Sequence, residues 1–252
     1  MAALPELDTA GNIVNRAAIQ LGLLGVSVAQ ANDPFASQDP NFVQLCELLT
    51  SVGDDLNGKH NWPQLRQECV IVTVAGQNVY PLPADFHEMI DQSGWNRSAR
   101  LPLIGPLRSQ EWQYLKARAL GMYISVVFRQ AGGNLEINPG MAVPAGTTIA
   151  FEYESSRWVQ SAGAAAPDKA APTIGTDVVC YDSELAIAAL KLAWLEAKGF
   201  DTAAAAERYE AKLEHAIGKS TGAPTLSLVG TGRTAVDRFI DNANLPLTGF
   251  GS

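Results

Sequence analysis

Residues Asn78–Asn96 read NVYPLPADFHEMIDQSGWN, and their reading decides what the middle of this chain is. Asp85, His87, Glu88 and Asp91 form the densest set of ligand-type side chains in the sequence, so the stretch is either a metal or acid/base site or a structural turn. Convergence is poor. In an extended strand Asp85 and His87 share one face while Glu88 takes the other, and no helical H-x-x-x-H or H-x-x-E spacing occurs. Pro81 and Pro83, by contrast, fix two backbone angles, push the residues before them into extended conformations and leave Ala84-Asp85 with the character of a turn. The structural reading is preferred; the alternative is a hydrolase, or a ligand-binding module, using Asp85, His87 and Glu88.

Strand patterns flank this stretch on both sides. CVIVTVAGQNVYPL, from Cys69, is rich in β-branched residues and broken by Ala-Gly-Gln-Asn, which predicts a hairpin; YISVVFRQAGGNLEINP repeats the grammar with Gly132-Gly133 at its turn. TTIAFEYES alternates, placing Ile149, Phe151 and Tyr153 on one face and Ala150, Glu152 and Glu154 on the other. One helix interrupts the strands at about residues 109–120, with Trp112, Leu115 and Leu120 facing inward.

Further out, the apolar period changes to that of helices. Ile13, Val14, Ala17, Leu21 and Leu24 make one stripe, capped by Asp8 or Thr9 and ended by Gly25. Asp39-Pro40 opens a second helix with Phe42, Leu45, Cys46, Leu49, Val52 and Leu56 inward. After the strands, SAGAAAPDKAAPTIGTD (Ser161–Asp177) reads as a linker or long exposed loop. Asp182 then caps a helix bearing Leu185, Ala188, Ala189, Leu192 and Leu195 and ended by Gly199, and a last helix buries Tyr209, Leu213, Ala216 and Ile217. From Lys219 onward glycines, prolines and scattered apolar residues suggest an extended arm. The economical fold is α+β. Helix pairs at the two ends, residues 1–66 and 181–218, form an antiparallel bundle; residues 67–160 are an inserted antiparallel β domain, a small sandwich or barrel; 161–180 link the two, and 219–252 are the arm.

Composition narrows the chemistry. The 252 residues are 47% hydrophobic, enough for a substantial core, and carry a net charge of −8 with scattered cations, which argues against tight wrapping of a phosphate backbone. Cys46, Cys69 and Cys180 are far apart, without the spacing of a zinc site or a disulfide framework, so a reducing compartment is expected. No basic-then-apolar leader opens the sequence and no long uninterrupted apolar run follows, so a soluble, non-exported chain is expected. GTGRT at Gly230 lacks the preceding strand, lysine and helix of a phosphate loop. His60, His87 and His215 accompany no G-x-S-x-G elbow. Trp62, Trp95, Trp112, Trp158 and Trp194 have no interleaved cations and read as packing rather than as a base-stacking platform. The sequence therefore presents no catalytic, cofactor or metal residues.

The order of these elements, with AAIQLGLLG (Ala17–Gly25), LLTSVGDDLNGKHNWP, AGQNVYPLPADFHEM, SGWN, LPLIGPLRSQEWQYL, LEINP and IAFEYES, resembles the head-to-tail adaptors of short-tailed bacteriophages over roughly Thr9–Gly222. Tyr80, Pro81, Pro83 and Asp85 match a Y-x-L-P-x-D phrase at the close of a hairpin; His87 stands where an apolar residue is expected. Trp95, Trp112 and Pro139 fall in the other matching words. The resemblance implies a non-enzymatic virion protein of the neck, assembled in the host cytoplasm. It implies a ring of about twelve copies beneath the portal protein, extending the DNA channel and bearing a nozzle or tail-tube protein. DNA would pass without specific binding, and no membrane is involved. An arm reaching the portal would be anchored by Phe239, Ile240, Leu245, Leu247 and Phe250, with Arg233 and Arg238 free to meet acidic groups.

Overall fold

The computed structural model describes residues 7–23, 33–118 and 124–221. A short strand, β1 (Asp8–Thr9), leads into α1 (Ala10–Gln20), where Thr9 Oγ1 accepts the Asn12 N–H. Ile13, Val14 and Ala17 are fully buried, as their spacing predicts, whereas Leu24 lies outside the described residues. The helix ends short of Gly25 because Gly22 takes φ +71° and the N–H groups of Gly22 and Leu23 turn back to the carbonyls of Ile19 and Ala18, a left-handed closure that glycine permits. α2 (Pro40–Asn57) begins as expected, with Asp39 accepting the Asn41 N–H at 2.8 Å and proline at the first helical position.

The middle of the chain runs through β2 (Arg66–Val72), β3 (Val79–Pro81), β4 (Phe86–Met89), β5 (Trp95–Asn96) and β6 (Leu101–Pro102) to α3 (Ser109–Arg118), then β7 (Phe128–Ala131), β8 (Asn134–Ile137) and β9 (Thr148–Ser155). β2 pairs along its whole length with β9, whose other edge carries β5 and β4, with β6 beyond β5; β3, β8 and β7 form a second antiparallel sheet. The two sheets share one apolar cluster that includes Ile71, Tyr80, Phe128, Leu135, Ile149 and Phe151. The expected β7–β8 hairpin forms, with Gly132 and Gly133 at φ +58° and +74°. The expected hairpin from Cys69 to Leu82 does not: β2 and β3 belong to different sheets. The Tyr80 hydroxyl accepts the Val74 N–H at 2.9 Å and donates to the Gln77 carbonyl at 3.0 Å, which fixes the bend that carries the chain from one sheet to the other.

β10 (Val159–Gln160) and β11 (Val178–Val179) precede α4 (Ser183–Lys198) and α5 (Ala203–Thr221). Asp182 caps α4, and Gly199, at φ +71°, closes it. β11 pairs with both β1 and β10, making a third sheet among the helices. This sheet overturns the expected layout of an antiparallel bundle of helix pairs carrying one inserted β domain. The helical stripes do not close on one another alone: Trp62, Leu65, Trp158, Val159, Val179 and Tyr181, from strands and connections, complete their core. The physical reason lies in side-chain volume, since α2 presents Gly53 where the Trp158 ring enters the core. The chain is a mixed fold in which five α-helices and several antiparallel sheets, among the described residues, share their cores. Residues 219–221, expected to begin the arm, are the last residues of α5, and residues 222–252 lie outside those described.

The segment read as a loop is pinned at several points: Lys169 bridges to Val159, the Gly175 carbonyl accepts the Gly11 N–H, and the Gly175 N–H donates to Asp33. Asp177 is fully buried, its carboxylate accepts from the Thr173 N–H, the Ile174 N–H and Lys169 Nζ, and its carbonyl accepts the Ala10 N–H that opens α1. These bonds hold the Asp177 carboxyl below the usual carboxylate range against the opposing effect of its burial.

Candidate functional site

The residues Asp85, His87 and Glu88 separate in the structure. Phe86 N–H closes a turn onto the Pro83 carbonyl, which places Asp85 within the turn. Its carboxylate reaches across to β9, where it accepts from the hydroxyls of Tyr153 (3.1 and 3.2 Å) and Ser155 (2.8 Å). Asp85 thus ties the turn to the neighbouring strand. His87 lies at the register shift between Phe86 and Glu88, and both it and Glu88 are exposed. Glu88 and Asp91 line a cleft of about 130 Å³ with Met89, Leu103 and Phe128, in whose wall neither Asp85 nor His87 takes part. Among the described residues no group of three His, Cys, Asp or Glu side chains could hold a metal ion.

The other nominated positions are structural in their surroundings. Tyr80 is the stitch already described, and Pro81 sits on β3, at a sheet edge where a missing N–H costs no ladder bond. Trp95, half-buried on β5, stands opposite Ala150 and Pro102. Trp112 is buried under the Arg129 guanidinium, 4.7 Å from its ring centroid, and Arg129 is itself paired with Glu136 at 2.7 Å. Pro139 is buried after β8. Arg233, Arg238, Phe239, Ile240, Leu245, Leu247 and Phe250 lie outside the described residues.

The polar site that sequence reasoning missed is where the two apolar clusters meet. Glu154, 1% exposed, accepts the Trp62 backbone N–H at 3.1 Å, and the Trp62 indole donates to the Leu56 carbonyl at 2.7 Å. Nearby, Asn57 donates to the Ser155 carbonyl, the Trp158 indole donates to Asp54 at 3.0 Å, and Tyr181 donates its hydroxyl to the Gly53 carbonyl at 3.1 Å while stacking on Trp158. Burial pushes the Glu154 carboxyl up to about 7; the Trp62 N–H opposes this, and Glu88, its cross-strand neighbour, adds to it. Alternation assigned Glu154 to the polar face of β9. Only the tertiary approach of the NWP turn covers it, and no local signal announces that.

At the end of α5, His60 Nε2 meets Ser220 Oγ at 2.8 Å. Because the Ser220 hydroxyl donates to the Ile217 carbonyl, His60 must donate here, with its proton on Nε2. Burial, and secondarily Arg66, lower the pKa of this imidazole. The thiols are quiet: burial raises Cys46 to about 12 and Cys180 to about 11. No helix among the described residues is long and apolar enough to cross a membrane.

Of the groups nominated for chemistry, Asp85 ties a turn to β9 while His87 and Glu88 lie exposed, and the chain is a structural adaptor of a bacteriophage. Its family is that of the SU10 adaptor protein, a head-to-tail adaptor family; the family model matches residues 8–235, and the chain belongs to it. No curated protein matches it.

Proposed function

We propose that the protein forms a ring beneath the portal protein at the phage neck, lengthens the DNA channel and presents the surface to which the tail nozzle or tube attaches. In this reading it has no catalytic role. The observation that carries it is the span of the family match: it enters at β1, takes in both apolar clusters and continues past the end of α5 at Thr221 to residue 235. Part of the C-terminal segment therefore belongs to what the family shares, as an attachment arm requires. We assign Phe239, Ile240, Leu245, Leu247 and Phe250 as anchors of that arm and Arg233 and Arg238 as partners of acidic portal groups. An arm that orders only on its target adds contact area at little cost to folding of the isolated chain. Tyr80, Pro81, Pro83, Asp85, Trp95, Trp112 and Pro139 then keep the sheets in shape for the distal partner. The net charge of −8 suits a duct through which DNA must slide without sticking.

Light scattering on the purified chain, alone and mixed with its portal protein, tests the proposal. The expected result is a large ring, alone or on mixing, that is lost when the residues after Lys219 are deleted. A monomer indifferent to both the portal and the deletion would overturn it.

A further inference from the structure

α4 and α5 flank a groove that none of the described residues fills. It consists of two adjoining hollows of about 410 and 470 Å³ that share Ala188, Lys191 and Arg208 in their walls. The alanines Ala188, Ala204 and Ala205 leave its floor low, which is what another helix needs to approach closely. Its cations are poorly matched. Lys212 shares Glu184 with Arg16, Lys191 finds only the neutral amide of Gln20 at 3.1 Å, and Arg208 has no ion-pair partner among the described residues. The nearby carboxylate of Asp201 is engaged in capping α5 through the Ala203 N–H. Burial, and then the Arg208 guanidinium, hold Lys191 below the usual lysine range, as expected of two like charges sharing a half-covered slot.

The opposite charge pattern lies on α2. Val43, Glu47, Ser51 and Asp55 follow one another at four-residue steps along its exposed face, with Asp54 beside them. Glu47 and Asp55 have no cation partner among the described residues, and Val43 is 50% exposed. Groove and ridge cannot meet in one copy, because they flank different sides of α5: Tyr209, turned to the helical core, feels the charge of Asp55, whereas Arg208 and Lys212 line the groove.

We propose that the α4/α5 groove of one copy receives the acidic α2 ridge of a second copy, with Lys191 and Arg208 meeting Glu47 and Asp55. Because groove and ridge flank different sides of α5, a partner seated in the groove leaves the ridge free for a third copy, and the contact is heterologous. A heterologous contact repeats from copy to copy until a ring closes. The inference rests on the ring reading above and assigns its subunit interface.

The test is a charge swap read by light scattering in the presence of the portal protein. The groove variant Lys191→Glu/Arg208→Glu and the ridge variant Glu47→Lys/Asp55→Lys are each expected to raise the protein concentration needed for assembly at least about tenfold. An equal mixture is expected to return it to within about threefold of wild type, since each reversed groove then meets a reversed ridge. Such rescue also shows that both variants fold, and the milder pair Arg208→Gln and Asp55→Asn covers the case in which a reversal does not. Variants that assemble like wild type, or a mixture no better than its parts, would overturn the interface while leaving the ring. Loss on groove reversal alone would mean a different occupant, such as the chain's own C-terminal residues, and would overturn it too. Wild type that never assembles removes the ring reading and this interface together.

Discussion

Glu154 is a carboxyl group that folding prefers to keep protonated. Its pKa is raised from 4.5 in the open chain to about 7 in the folded one, so folding takes up a proton between those values. Stability contributed at this site therefore falls as pH rises through that window and is level above it. Glu154→Gln keeps an acceptor for the Trp62 N–H and abolishes the titration. Urea unfolding should find it about 1–3 kcal/mol more stable than wild type at pH 8 and indistinguishable near pH 4.5, a convergence that a simple packing change would not produce. Asp85 makes the contrasting case. Asp85→Ala strands the hydroxyls of Tyr153 and Ser155 and should cost about 1–3 kcal/mol, whereas His87→Ala, on an exposed bulge, should stay within about 0.5 kcal/mol. Equal losses at both positions would point back to a shared chemical role.

At the scale of elements, α2 shows how a local preference is overruled. A methyl group at Gly53 would lie 2.1 Å from the Trp158 ring, which is stacked on Tyr181 and tied through its indole to Asp54. Alanine is the better helix former by about 1 kcal/mol, yet Gly53→Ala should lower stability by about 2–4 kcal/mol in urea, because the ring has no free direction in which to move. A gain in stability would mean that Trp158 does not sit against this helix. The same contrast explains what was legible in the sequence. Caps and periods declared themselves: Asp39-Pro40, Asp182 and the stripe of α1 lie where their chemistry places them, and the Gly132-Gly133 turn was plain. Strand partners did not. Cys69–Leu82 has the pattern of a hairpin, but a period of two says which face is apolar and nothing about which strand lies alongside, so β2 went to β9 and β3 to β8. The turn at Ala84-Asp85 was legible from Pro81 and Pro83, while the burial of Glu154 and the convergence of aromatic rings between the clusters depend on distant segments.

For the whole molecule, the decisive contacts join distant parts of the chain. The Ala10 N–H reaches the Asp177 carbonyl, β1 lies on β11, and Arg16 pairs with Glu184, 168 residues away. A fragment ending at residue 177 keeps every strand from β2 to β9 but lacks β11, α4 and α5. It leaves the stripes of α1 and α2 without their cover. Such a fragment should bind a hydrophobic dye strongly, where the full chain does not, while retaining the β signal in circular dichroism. Absence of dye binding would mean that α1 and α2 bury their stripes without α4.

The third sheet also sets a clock. On the ribosome, residues 8–20 emerge early and must wait for residues 177–198 before β1 and α1 find their partners, so the β strands between can settle first and the helical core is sealed last. The groove walls are themselves α4 and α5. On the proposed interface, a chain whose synthesis stops before α4 carries the ridge but no groove, so it can cap a growing ring and cannot extend it.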